Sequence, residues 1–140
     1  MIDTIFQLSN LLIMPFWLLM IFLPFWSWTK RIIGSIWIVL PVALLYAILV
    51  VPIMPSAFAD LLNPSLESIA ALLGTPEGAA IGWAHFLAFD LFVGRWVFLD
   101  GQARGISSWL LSPVLFFVLM FGPLGLVLYL LVRLVRGSQK

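Results

Sequence analysis

The stretch TPEGAAIGWAHFLAFDLFVGRWVFLD, Thr75 to Asp100, decides the fold class. It opens with a helix start signal: Thr75 supplies a capping hydroxyl, Pro76 suits the first turn, and Glu77 faces the positive helix end. From 76 to 99 the residues are predominantly apolar, which at about 20 residues per crossing is enough to span a bilayer. Past the first turn, three polar residues interrupt it, His85, Asp90 and Arg95. A charged group near the centre of a membrane helix costs about 2.5–3.5 kcal/mol on insertion scales, so an intramembrane acid marks a candidate site.

Working outward, the run 5–28 is apolar and ends at Lys30 and Arg31. It is too long for the apolar region of a cleavable signal peptide and no basic segment precedes it, so it reads as a retained span. A second run, 32–51, is uncharged and closed by Pro52 and Pro55. Between Ser56 and Gly74 polar and apolar residues alternate; Asn63 and Pro64 read as cap and first turn, and Gly74 as a stop. The helix predicted at 64–73 is too short to span and is expected to lie on the membrane surface. Asp100 to Gly105 reads as a polar turn, and Ser112-Pro113 starts a fourth span, 113–136, ended by Gly137. The reading is an all-α polytopic membrane protein: one membrane domain over 1–140, with four transmembrane helices and one short interfacial helix.

Composition agrees. Of 140 residues, 64% are hydrophobic and 9% charged, and the mean hydropathy is +1.18, against about 25% charged residues in a soluble domain. A net charge of +1 and scattered basic residues exclude a nucleic-acid interface. With no cysteine and one histidine there is no thiolate or multi-imidazole metal site, and no phosphate loop, zinc-helix or nucleophile-elbow motif is present, so no metal or cofactor is expected. Four spans would place both termini, with Arg133, Arg136 and Lys140, on one side and Lys30, Arg31, Arg95 and Arg104 on the other. A four-to-three division does not orient the protein.

His85, Asp90, Arg95 and Asp100 follow one another at five-residue steps, which on a regular helix means about 140° and ~7.5 Å per step. They point in several directions, so the third span should be surrounded by the others. Tyr46, Tyr129, Ser35, Ser112, Gln7 and Asn10 are available as partners. Pro15, Pro41 and Pro123 fall near the middles of three spans, where kinks would leave an internal pocket, and twelve Phe, seven Trp and two Tyr could wall it for a long flat apolar ligand. The structural alternatives stand beside this: buried polar groups also hold bundles together, Arg95 beside Trp96 suits interfacial anchoring, and aromatic residues also pack against lipid.

The segment Trp83-Ala-His85-Phe-Leu-Ala-Phe-Asp90-Leu-Phe92-Val-Gly-Arg95-Trp96-Val-Phe-Leu-Asp100-Gly101 resembles the W-x-H-x-L-x-x-D-L-F-x-x-R-x-x-x-x-D-G stretch of plant neoxanthin synthase, the abscisic-acid-deficient family of chloroplast membrane proteins. Pro15 through Lys30-Arg31 and Phe121-Gly-Pro-Leu-Gly125 extend the likeness over essentially the whole chain. The plant proteins begin with a transit peptide and this chain with its first span, so a bacterial, cyanobacterial member of the thylakoid or bacterial inner membrane is expected. The resemblance implies a carotenoid ligand and isomerisation of an epoxy-carotenoid to an allene, with no redox change and no obligatory cofactor. His85 and Asp90 would be the catalytic pair, Asp90 as the acid. Trp83, Phe92, Trp96, Arg95 and Asp100 would bind substrate, the last two orienting its polar ring. The partners expected are membrane lipid and a carotenoid, with a homo-oligomer or a photosynthetic complex as the larger assembly; a non-catalytic accessory subunit of such a complex is the alternative function.

Overall fold

A computed structural model describes residues 2–137, apart from the side chains of 59, 60 and 137. Among the described residues there are eight α-helices and one 3₁₀ turn, and no strand. They are α1 (Ile2–Phe22), α2 (Ser27–Gly34), the 3₁₀ turn Ile36–Val39, α3 (Leu40–Val50), α4 (Met54–Leu62), α5 (Leu66–Leu73), α6 (Pro76–Ala103), α7 (Ser108–Phe121) and α8 (Pro123–Gly137).

α6 starts as the sequence predicts. The Thr75 hydroxyl accepts from the Gly78 N–H at 3.0 Å, Pro76 occupies the first turn, and the helix continues past the expected turn to Ala103. At 28 residues it is about 42 Å long. It is the hub, packed against α1, α2, α3, α5, α7 and α8. Small residues on its buried faces allow close approach: a Cβ at Gly94 would meet the Trp17 ring of α1, and one at Gly101 would meet Leu111 of α7. Trp17, Phe98, Leu91, Leu115 and Tyr129 form the centre of the core.

The other predicted spans are interrupted. The run 5–28 stops at Phe22, because Pro24 cannot continue the helix; the Thr29 hydroxyl then donates to the Leu23 carbonyl at 2.7 Å, closing the corner into α2. Lys30 and Arg31 lie on α2. The run 32–51 bends by 72° at the break around Ser35, whose hydroxyl accepts from the Trp37 N–H. Pro41 sits in the first turn of α3 and produces no mid-helix kink, whereas α1 runs unbroken through Pro15. Pro55 lies in the first turn of α4, an additional helix that the sequence reading lacks. The surface helix begins at Leu66, because Ser65 is its cap and exchanges hydrogen bonds with Ser68 in a capping box.

The largest difference is at 113–136. The helix already begins at Ser108, with Pro113 inside it, and breaks at Gly122, where φ is 34° and ψ is −90°. Leu111 packs on Gly101, Gly122 packs on Asp90, and Tyr129 reaches Asp100, so the chain descends along α6 and then returns. α7 and α8 therefore form a helical hairpin with its tip beside Asp90. A left-handed backbone suited to glycine, followed by a proline without an N–H, is what permits the reversal. By length and composition, α1 is the one described helix that could cross a membrane alone, with a second if the bent α2–α3 pair counts as one crossing. The expected four spanning helices are not reproduced: polar residues lower the hydropathy of α6, and α7 and α8 are 14 and 15 residues long.

Candidate functional site

The hairpin tip closes a cavity of about 560 Å³ against α1 and α6. Asn10, Ile13 and Met14 supply one wall, Trp83 to Asp90 of α6 the second, and Leu119 to Pro123 the third. This size falls within the range of small-molecule pockets, and the lining is apolar apart from a few polar groups. Trp83, His85 and Asp90, three of the predicted site residues, line it together.

Each polar group is held differently. The Trp83 indole N–H donates to Asn10 Oδ1 at 3.0 Å, and its ring lies 5.6 Å from Phe6, which ties α6 to α1. His85 is exposed and is flanked by aromatic rings, with centroids 5.3 Å from Tyr46, 4.8 Å from Phe89 and 6.1 Å from Phe86. Asp90 is partly buried against the backbone of Gly122, in the space a Cβ there would occupy. Gly122 and Pro123, where the helix breaks, line this cavity. Because α6 is continuous through this region, His85 and Asp90 keep their ~7.5 Å axial step. A ligand touching both must lie along α6.

A second apolar cavity of about 290 Å³ opens between α3, α4, α5 and α6, lined by Val50, Ala57, Ile69 and Gly78 among others. His85 and Phe86 line both cavities, so the imidazole stands where they meet.

The remaining predicted site residues are elsewhere. The Arg95 guanidinium donates to the carbonyls of Gly34 at 2.6 Å and Ser35 at 3.2 Å, holding the C-terminal end of α2. Cations are favourable at such an end, a role distinct from the interfacial anchoring expected beside Trp96. Asp100 accepts from Tyr129 and pairs with Arg104 at 2.8 Å and Arg133 at 3.3 Å. Burial raises the affinity of this carboxyl for its proton, but the hydrogen bonds from Tyr129 and Arg104 and the charges of Arg133 and Arg104 outweigh it, so its pKa lies below the ordinary value of 3.8. Trp96 joins this cluster, edge-on to Tyr129 at 5.3 Å and beneath Arg133 at 5.6 Å. The cluster fastens the returning helix of the hairpin to α6. Phe92 is 47% exposed and lines neither cavity.

The sequence reading missed the hairpin tip and the Arg133 pairing. Gly122-Pro123 was the available signal, since glycine commonly ends a helix and proline is common just past that end.

Comparison with known proteins follows the same segment. A curated relative, Protein ABA DEFICIENT 4, chloroplastic, of Arabidopsis thaliana, is 26% identical over 144 residues, covering 98% of this chain; the chain spans 64% of the relative's length. No solved structure matches. Residues 4–129, which include most of α1, all of α6 and the hairpin tip, match the model of the ABA DEFICIENT 4-like family, and the chain belongs to that family.

Proposed function

We propose that this protein is a polytopic membrane protein whose hairpin-tip cavity takes a carotenoid and isomerises an epoxide end group. The observation that carries the reading is the convergence of Trp83, His85 and Asp90 on one apolar cavity of about 560 Å³. α1, the bent α2–α3 unit and α6 are the crossings, and α7–α8 is a re-entrant hairpin. Irregular backbone such as Gly122 is tolerated at membrane depth only where protein or a cavity covers it, and here Asp90 does.

Opening an epoxide to an allene moves protons without net redox. One proton goes to the epoxide oxygen as its C–O bond breaks, and one leaves the neighbouring chain carbon to complete the cumulated double bonds. Asp90 donates the first from beside Gly122. His85 takes the second at the exposed side, where the imidazole stands among Tyr46, Phe86 and Phe89. A substrate lying along α6 reaches both, with the aromatic rings against the polyene. Trp83 and Phe89 are the binding residues of this reading. Arg95 and Asp100 act on the helices that shape the cavity.

The test uses violaxanthin, the substrate implied by the likeness to neoxanthin synthase. Membranes expressing wild type are expected to convert it, and Asp90→Asn and His85→Ala each to lose conversion at equal expression. Undiminished product from both variants sinks the assignment. Purification in mild detergent separates the alternative: a carotenoid spectrum supports the cavity, while a colourless protein that comes down with photosystem subunits supports an accessory role.

A further inference from the structure

The contacts along α6 fix the directions of α1, α3, α7 and α8. Asn10, Trp17 and Pro24 of the first segment meet Trp83, Gly94 and Gln102 in turn, so α1 runs parallel to α6. Ser35 meets Arg95 and Tyr46 meets His85, so α3 runs antiparallel. α7 runs from Gly101 down to Asp90, and α8 returns to Asp100. The start of α1 therefore lies at the Pro76 end of the molecule, and the end of α8 at the Ala103 end. An even number of spans would have placed the two together.

This reversal redistributes the charges. Arg133 and Arg136, expected opposite Lys30, Arg31, Arg95 and Arg104, join them at the Ala103 end. All six described Lys and Arg residues lie there, and the seventh, Lys140, is outside the described residues. The one described carboxylate at this end, Asp100, is already paired with Arg104 and Arg133. Asp3, Glu67 and Glu77 lie at the opposite end. Trp26, Trp28, Trp37 and Trp109 surround the basic end and are 48%, 51%, 70% and 83% exposed. A ring of exposed indoles around a cationic surface matches the headgroup level of a bilayer, where tryptophan concentrates and anionic lipid attracts Lys and Arg.

We infer that the end formed by α2, the α6–α7 corner and the last turn of α8 docks against anionic lipid headgroups of the cytoplasmic or stromal leaflet. The orientation is then determined: the start of α1 and the α4–α5 segment face the other compartment, and the end of α8 faces the cytoplasm or stroma. The inference rests on the membrane-spanning reading above.

The chain has no cysteine, so single cysteines report sidedness directly. Glu67→Cys, Ser107→Cys and Arg136→Cys, all at exposed positions, are expressed in bacterial cells and treated with a membrane-impermeant maleimide. Glu67→Cys is expected to label in intact cells, and Ser107→Cys and Arg136→Cys only after permeabilisation. If Arg136→Cys labels from the same side as Glu67→Cys, the hairpin topology is overturned. If Glu67→Cys is inside and the other two outside, the leaflet assignment is overturned. Alkaline carbonate extraction of the protein from membranes identifies failure of the spanning reading itself. For the lipid, wild type is inserted into preformed phosphatidylglycerol vesicles and into phosphatidylcholine vesicles. At least a threefold bias toward one orientation is expected with the anionic lipid, lost in Lys30→Gln/Arg31→Gln; an equal bias in both lipids overturns the headgroup proposal.

Discussion

Replacing Gly122 with alanine distinguishes the hairpin from a straight helix by the sign of its effect. In a continuous helix over 113–136, Gly→Ala removes an intrinsic penalty and stabilises by about 0.8–1 kcal/mol. In the hairpin, φ of 34° with ψ of −90° lies outside the backbone range of an L side chain, which costs about 1–3 kcal/mol. The added Cβ also falls on the Asp90 carboxylate, and displacing a packed group costs about 1–3 kcal/mol more. A destabilisation of about 2–6 kcal/mol is expected, read from denaturant unfolding in mixed micelles by the fluorescence of the seven tryptophans. The two contributions separate in a double-mutant cycle with Asp90→Ala. Without the carboxylate the steric part disappears and the backbone part stays, so a coupling of about 1–3 kcal/mol is expected. A stabilising Gly122→Ala would refute the break, and strict additivity with Asp90→Ala would refute the seating of Asp90 on it.

Further substitutions probe the surrounding packing. Gly94→Ala drives a methyl into the buried Trp17 ring at the α1–α6 crossing and should destabilise by about 1–3 kcal/mol in the same unfolding assay. Asn10→Ala removes the acceptor for the Trp83 indole and should cost about 0.5–1.5 kcal/mol, with a blue or red displacement of the Trp83 emission obtained by difference against Trp83→Phe. Asp100, whose pKa is lowered in the folded state, binds fewer protons folded than unfolded near and below the ordinary value of 3.8. Its contribution is therefore complete above that value and is lost as pH falls through the folded pKa. The melting temperature of wild type should drop over that acid range, and Asp100→Asn should flatten the drop. Arg95→Ala should loosen the α2 end without altering ligand affinity, whereas a change in carotenoid binding with intact α2 would return Arg95 to the binding site.

Much of the helix pattern could be read from local chemistry. Thr75-Pro76-Glu77 starts a helix wherever the chain goes, because its cap and first-turn preferences are satisfied within four residues. The association of His85 with Asp90 was likewise legible, since their spacing on one helix fixes their axial separation. Tyr46 beside His85 and Asn10 beside Trp83 appeared only as members of a short pool of polar partners. Which of them met which depended on the register of α1 and α3 against α6. The predicted substrate residues Arg95 and Asp100 had the right chemistry for an oriented ligand, but the same chemistry served a helix C-terminus and a three-way ion cluster that lay close at hand.

By itself the sequence determined an apolar, all-helical chain with one polar helix, because hydropathy and capping act over one helix length. Whether 113–136 crosses or turns back depended on a single glycine, and a Gly-Pro pair is compatible with either a kink or a reversal. The tertiary structure decided it: Asp90 occupies the space that a side chain at Gly122 would need, and Asp100 holds Tyr129 and Arg133 of the returning helix. Those contacts join residues about 30 apart in the chain, so no local window contains them. They convert a scattered set of basic residues into one cationic end.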